Sequence, residues 1–271
     1  MTGLTDPELR EIELLAVDLA RVAGAEASTM FGQTLSVRYK GDAENQMAGL
    51  DPVSEVDRTV EIMLRARLAD RFPTHRIIGE EVAEPGGGSH SVAWALDPID
   101  GTASFVNGFP LFAASIGVLH DGVPVCGAVW CASTHALRPG VYHARRGGPL
   151  RFEKEDPTTR SGLGLRRRLA GEPRPLARGA LPWDSRKTGS AAVDCAFVAA
   201  GLLRVSRFET PNLWDVAGGI PLVLAAGGVV RWRDGDGRWH PFSRFAGDLG
   251  TWKHALILGD PEAVELRCAA E

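Results

Sequence analysis

The sequence predicts an α+β fold, and three observations carry that reading. Apolar residues at helical spacing mark two helices in the first part of the chain. These are Leu9, Ile12, Leu15, Leu19 and Val22, then Val56, Val60, Met63, Leu64 and Leu68. A short apolar run, Val92 to Leu96, reads as a buried strand that ends abruptly in Asp97-Pro98-Ile99-Asp100-Gly101-Thr102. Two more runs, Ala113 to His120 and Val123 to Trp130, are joined by Asp121-Gly122, a strong hairpin signal.

The 271 residues suffice for one large domain or two lobes, and the expectation is a single domain of 5–271 with an N-terminal lobe of 5–150 and a C-terminal lobe of 151–271. Apolar residues make up 44 % and charged residues 24 %, as in an ordinary soluble enzyme. A net charge of −4 gives no basic footprint for nucleic acid. Cys126, Cys131, Cys195 and Cys268 have no zinc-ligand spacing and read as reduced thiols. No basic stretch followed by an apolar run opens the chain, and no run reaches membrane-spanning length. A cytoplasmic protein without a membrane partner is expected.

Taken in order, Thr5-Asp6-Pro7-Glu8 starts the first helix with a capping-box pattern, and Gly24 is its expected end. Val37 to Lys40 suggests a short strand, and residues 41–50 a polar loop of lid length. Lys40 before that loop also reads as a plain surface lysine. Asp51 follows the loop. Ser54 with Asp57 caps the second helix, which makes Asp57 most simply an acid favoured by the helix dipole. Phe72-Pro73 ends that helix. Arg76 to Gly79 is a short strand delivering Glu80-Glu81, and residues 84–89 are flexible connection. After the hairpin, Gly140 to Ala144 supplies a third strand. Residues 151–182 are irregular, with Arg166-Arg167-Arg168 either solvated or a basic rim.

Ser185-Arg186-Lys187-Thr188-Gly189-Ser190 caps a helix from Ala191 to Ala200, and Leu202 to Phe208 is a strand. Trp214-Asp215 opens one apolar helix that runs to Gly227. Val229 to Arg233 and Trp239 to Phe242 form a hairpin. Ala255 to Gly259 is the last buried strand, and Asp260-Pro261 starts the terminal helix.

The chemistry concentrates where Val92 to Leu96 ends. Asp97 and Asp100 stand three residues apart at the carboxyl end of a core strand. Carboxylates held this close repel unless a proton or cation intervenes. A hard divalent ion with oxygen ligands, such as Mg²⁺, suits them. A solvated Asp-Pro-x-Asp-Gly surface turn is the plain alternative.

Four stretches then point one way: Lys40 with Asp51 and Asp57, Gly79-Glu80-Glu81, Asp97 to Thr102, and Trp214-Asp215-Val216-Ala217-Gly218. Together they resemble the inositol monophosphatase family, the Mg²⁺-dependent, lithium-sensitive phosphatases. The resemblance implies a layered α-β-α-β-α sandwich and a homodimer. It implies that Glu80, Asp97 and the Ile99 carbonyl hold one Mg²⁺, and that Asp97, Asp100 and Asp215 hold a second. A weaker third ion would lean on Glu80. Thr102 and Asp51 would activate the attacking water, with Glu81 close by. Backbone N–H groups of Gly101 and Thr102 would hold the phosphate, and Lys40 would lie near the metals. The implied activity is hydrolysis of a small phosphate ester.

The leaving group admits two readings. In inositol-hydrolysing members a Glu stands seven residues before the Trp-Asp aspartate, where this chain has Phe208 with Glu209 beside it. A register shift would let Glu209 serve, but in a strand it would need a bulge. The alternative expectation is that Arg204 pairs with a second anion, as on histidinol phosphate, fructose 1,6-bisphosphate or adenosine 3′,5′-bisphosphate. A fold-retaining regulatory protein is a further alternative, disfavoured because no expected metal ligand is missing.

Overall fold

The computed structural model describes residues 3–33, 37–39, 52–82, 90–157, 169–174 and 181–271. Helix α1 spans Asp6–Met30, β1 Val37–Tyr39, β2 Pro52–Ser54 and α2 Glu55–Arg71. Strands β3 (Arg76–Gly79) and β4 (Val92–Asp100) follow, then the short α3 (Thr102–Val106). Strands β5 (Ala113–His120), β6 (Val123–Cys131), β7 (Gly140–Arg145) and β8 (Arg151–Phe152) complete the first large sheet, in the order β3-β4-β5-β6-β7-β8. The second half holds β9 (Leu169–Gly171), β10 (Asp184–Arg186), α4 (Ala191–Ala199), β11 (Val205–Phe208), α5 (Leu213–Ala217) and α6 (Gly219–Ala225). It ends with β12 (Val229–Arg233), β13 (Trp239–Pro241), β14 (Leu256–Gly259) and α7 (Pro261–Ala269). Its six-stranded sheet runs β10-β9-β11-β14-β12-β13.

The elements stack in five layers. α1 and α2 cover one face of the first sheet, burying Leu9, Ile12, Leu19, Leu64 and Leu68 against Trp94, Leu96, Ile116 and Trp130. α4, α5 and α6 lie between the sheets, with Val216, Ile220 and Val223 in the shared core. α7 packs on the far face of the second sheet through Ala263 and Val264. The layering is therefore α-β-α-β-α, as the resemblance implies. No helix among the described residues is long and apolar enough to cross a membrane.

Several boundaries differ from the sequence reading: residues 151–182, expected to be irregular, contain β8 and β9, and the strand expected from Leu202 starts at Val205. α1 continues past Gly24 to Met30. Gly24 marks a close approach rather than a stop, because a Cβ there would lie 2.0 Å from the Trp130 ring. Strand β4 continues through Asp97 to Asp100 and is buried throughout. The helix expected from Trp214 to Gly227 is two helices, divided at Gly218.

Candidate active site

Parallel pairing of β3 with β4 sets Gly79 opposite Leu96. The next residues, Glu80 and Asp97, therefore leave adjacent strands at the same end. Between Asp97 and Asp100 the register with β5 slips, since Asp97 faces Ser115 while Asp100 faces Ala113. Three steps along β4 match two along β5, so β4 carries an extra residue. In an unbroken strand Asp97 and Asp100 would point to opposite faces, and the extra residue brings them to the same one. Pro98, which has no N–H to contribute to a ladder, sits inside the irregular stretch. The chain then turns at Gly101, whose φ of 92° is left-handed and whose absent Cβ would crowd Ser190 and the Leu111 carbonyl.

Asp215 reaches the same place from the helical layer. Asn212 and Asp215 form a capping box on α5, with the Asn212 N–H donating to Asp215 Oδ2 at 2.7 Å. Ser115, the β5 partner of Asp97, donates its hydroxyl to the Trp214 carbonyl at 3.2 Å and ties α5 to the sheet. Asp100 is held from α4. Ser190 caps that helix, donates Oγ to Asp100 Oδ2 at 2.6 Å, and the Ala192 N–H donates to the same oxygen.

Electrostatics sets this cluster apart. Burial pushes the Asp97 carboxyl well above the usual range, and Glu80, Asp100, Asp215 and Asp57 push it further. Burial raises Asp100 to about 6 against the opposing bonds from Ser190 and Ala192. Asp215 is raised well above its usual value by burial and by Asp100. Asp97 is 1 % exposed, and its Oδ1 has no hydrogen-bond partner among the described residues. A buried oxygen left unsatisfied costs about 1–3 kcal/mol. A cation would offset this repulsion and give Asp97 Oδ1 a partner, although among the described residues no three acidic, histidine or cysteine side chains already stand close enough together to grip one.

Thr102 sits at the start of α3. Its Oγ1 lies 2.9 Å from the Ile99 carbonyl and 3.4 Å from Asp57 Oδ1. Asp57 is 1 % exposed and belongs to the buried face of α2. The carboxylate facing Thr102 is thus the one read from sequence as a helix-start acid. The residue expected there, Asp51, lies outside the described residues, as does Lys40. Glu81 follows Glu80, partly buried, with its N–H bound to Glu61 Oε2 at 2.7 Å. Asp57 stands in one of the stretches that carry the resemblance but has no role there, and Glu61 stands in none. The signal present was their spacing, since two acids four residues apart lie on the apolar stripe of α2.

A cavity of about 270 Å³ opens beside the cluster, lined by Asp100, Lys187, Ser190, Phe208, Glu209 and Asp215 among others. Arg204 is not there. It sits at the other end of β11, bonded to Asp260 at 3.2 Å and Glu262 at 2.6 Å, on a separate cavity of about 670 Å³. Phe208 closes β11 opposite Leu256 and joins the apolar core. Because the strand ends at Phe208, Glu209 turns to the cavity without a bulge. There it pairs with Arg174 at 3.3 Å and Arg207 at 3.5 Å.

Two sheets alternating with three helical layers, with these acids at the carboxyl ends of β3 and β4, give a layered α-β-α-β-α sandwich, the fold class of the solved structures this chain resembles. The model of the inositol monophosphatase family matches residues 8–260. The chain is 34 % identical over 253 residues to inositol-1-monophosphatase of Mycobacterium leprae, covering 83 % of this chain and 84 % of that one. It is 36 % identical over 251 residues to the probable inositol 1-monophosphatase ImpA of Mycobacterium tuberculosis, covering 83 % and 90 %. Among solved structures, the extragenic suppressor protein SuhB of Bartonella henselae superposes with a TM-score of 0.75 at 26 % identity, covering 96 % of this chain and 98 % of that chain. The chain belongs to the inositol monophosphatase family and is a phosphoric monoester hydrolase.

Proposed function

We propose that the protein hydrolyses a small phosphorylated polyol by metal-assisted attack of water. The observation that carries this reading is the unpartnered, buried Asp97 Oδ1 among the mutually repelling Glu80, Asp100 and Asp215. Glu80, Asp97, Asp100, Asp215 and the Ile99 carbonyl would hold two or three Mg²⁺ ions. Bound there, Mg²⁺ would supply Lewis acidity, acidifying a water and stabilising the leaving alkoxide. The protein's own part is positioning and proton movement. Thr102 Oγ1 accepts the water proton as its own passes to Asp57, which acts as the general base. The N–H groups of Gly101 and Thr102, at the turn into α3, bind a non-bridging phosphate oxygen. The attacking oxygen bonds to phosphorus as the ester P–O bond breaks, and the alkoxide leaves with a proton as the free alcohol. Lithium sensitivity, inhibition by excess Ca²⁺, a homodimer and a cytoplasmic location belong to the same reading.

Glu209, on the wall shared with Asp100 and Asp215, suits the leaving-group hydroxyls. Glu209→Gln is expected to lower kcat/KM for inositol 1-phosphate by roughly tenfold or more, the value of a hydrogen bond to a charged acceptor. Turnover of 4-nitrophenyl phosphate should hold. A second reading rests on Lys187, exposed on the same cavity and without an ion pair among the described residues, which suits a second anion. Phosphate release across inositol 1-phosphate, histidinol phosphate and bisphosphates, with Mg²⁺ and with EDTA, separates them. The polyol reading expects inositol 1-phosphate to be turned over best. A bisphosphate preference lost in Lys187→Ala would favour the second. Full activity in EDTA contradicts both.

Stability should report the same cluster. Folding raises Asp100 from 3.8 to about 6, so between those values the folded chain holds a proton that the unfolded chain has lost. The stabilisation from that proton is complete below the lower value and is lost as pH rises through the higher one. Ion binding offsets the cost of burying the charged carboxylate. The gain in melting temperature on adding Mg²⁺ should therefore grow from about pH 5 to about pH 7. A gain that is constant or shrinks over that interval would count against the assignment.

A further inference from the structure

Glu61 lies on α2 and is 0 % exposed. A carboxylate at that depth is costly unless its oxygens are filled. They are filled by the backbone that carries Glu80. The Glu81 N–H donates to Oε2 at 2.7 Å, and the Val82 N–H donates to Oε1 at 3.2 Å. Arg65, one helical turn further along α2, donates Nε to Glu61 Oε1 at 2.7 Å. Its two other nitrogens reach the carbonyls of Ile77 at 3.2 Å and Val82 at 2.9 Å. Gly79 completes the fit, since a Cβ there would lie 2.1 Å from Glu61 Oε1.

The peptide is thus pinned on both sides of Glu80, while the Glu80 side chain takes no part in these bonds. The arrangement is expensive as a stabilising device, because burying an ion pair costs desolvation that an apolar pair would avoid. It does fix the short strand end from which Glu80 projects. The same helix, one turn earlier, presents Asp57 to Thr102.

We infer that Glu61 and Arg65 form a clamp that aims the Glu80 carboxylate at the cluster around Asp97, with Glu61 as the positioning residue. The inference rests on the reading of Glu80 as a metal ligand. Loosening the clamp leaves every proposed ligand in the sequence but lets Glu80 swing. Outer partners that orient metal ligands typically account for about 10–100-fold in affinity.

The test is Mn²⁺ binding to the full chain without substrate, followed by electron paramagnetic resonance, for wild type, Glu61→Gln, Arg65→Lys and Glu80→Gln. Glu61→Gln should weaken Mn²⁺ binding by about 10–100-fold. It should raise the Mg²⁺ concentration for half-maximal activity in parallel, with kcat at saturating Mg²⁺ the smaller effect. Arg65→Lys keeps a charge beside Glu61 but loses the fork to the two carbonyls, so its weakening should be intermediate. If Glu80→Gln binds Mn²⁺ as wild type does, the metal reading of Glu80 fails. If Glu80→Gln weakens binding but folded Glu61→Gln does not, the clamp is overturned. Should Glu61→Gln fail to fold, unchanged Mn²⁺ affinity in Arg65→Lys overturns it instead.

Discussion

Asp97→Asn is expected to abolish measurable phosphate release at every Mg²⁺ concentration. The site draws Glu80 from β3, Asp100 from the far side of the β4 irregularity and Asp215 from α5, and Asp97 is the one that all the others repel. Its buried Oδ1 has no protein donor among the described residues, which leaves that oxygen open to a cation. Asparagine keeps the shape but removes the charge, and it turns one oxygen into a donor among acids. Inorganic phosphate measured over a Mg²⁺ titration checks this, with circular dichroism to show that the variant folds. Residual turnover that Mg²⁺ restores to the wild-type level would show that Asp97 is dispensable.

Asp57→Asn and Thr102→Ala should each lower kcat by roughly 10²–10⁴-fold, the usual range for loss of a general base or its relay. Their effect on ion affinity should be smaller than that of Asp97→Asn. The two groups face each other at 3.4 Å, with the Ile99 carbonyl as the second acceptor for the Thr102 hydroxyl. Acting in one relay, they should be non-additive, so the double variant should be little worse than either single one. A comparison with Asp51→Asn decides between the carboxylate that faces Thr102 and the one expected from sequence. The larger kcat loss should fall on Asp57.

The parts of the site legible in sequence are those written on consecutive residues. Asp97 to Thr102 could be read because two carboxylates, a proline and a glycine at a strand end leave few conformations. Glu80-Glu81 after a short apolar strand reads locally as a solvated loop, and only the resemblance gives Glu80 a metal-binding role. Asp57 was legible as an acid but not as the partner of Thr102, because a contact across 45 residues depends on how α2 lies against β4. At a helix start, a capping acid and a buried one share the same local pattern. Arg204 was misplaced because sequence gives no sign of which end of β11 faces the cluster. Its neighbours Asp260 and Glu262 become partners only when β14 pairs antiparallel with β11. Gly24 and Gly218 show one residue type in two roles. The first admits Trp130 within an unbroken helix, and the second ends α5 and begins α6. Helices α1 and α2 and the hairpin of β5 and β6 followed from apolar period and the Asp121-Gly122 turn, whereas the layering came from the resemblance.

The account stands or falls on where divalent ions sit. Anomalous scattering from crystals of the wild-type protein grown with Mn²⁺ measures that directly. The expected result is two peaks sharing Asp97, one also touching Glu80 and the Ile99 carbonyl, the other also touching Asp100 and Asp215. Saturating Mn²⁺ with no peak at Asp97, or with peaks confined to other acids, would contradict it.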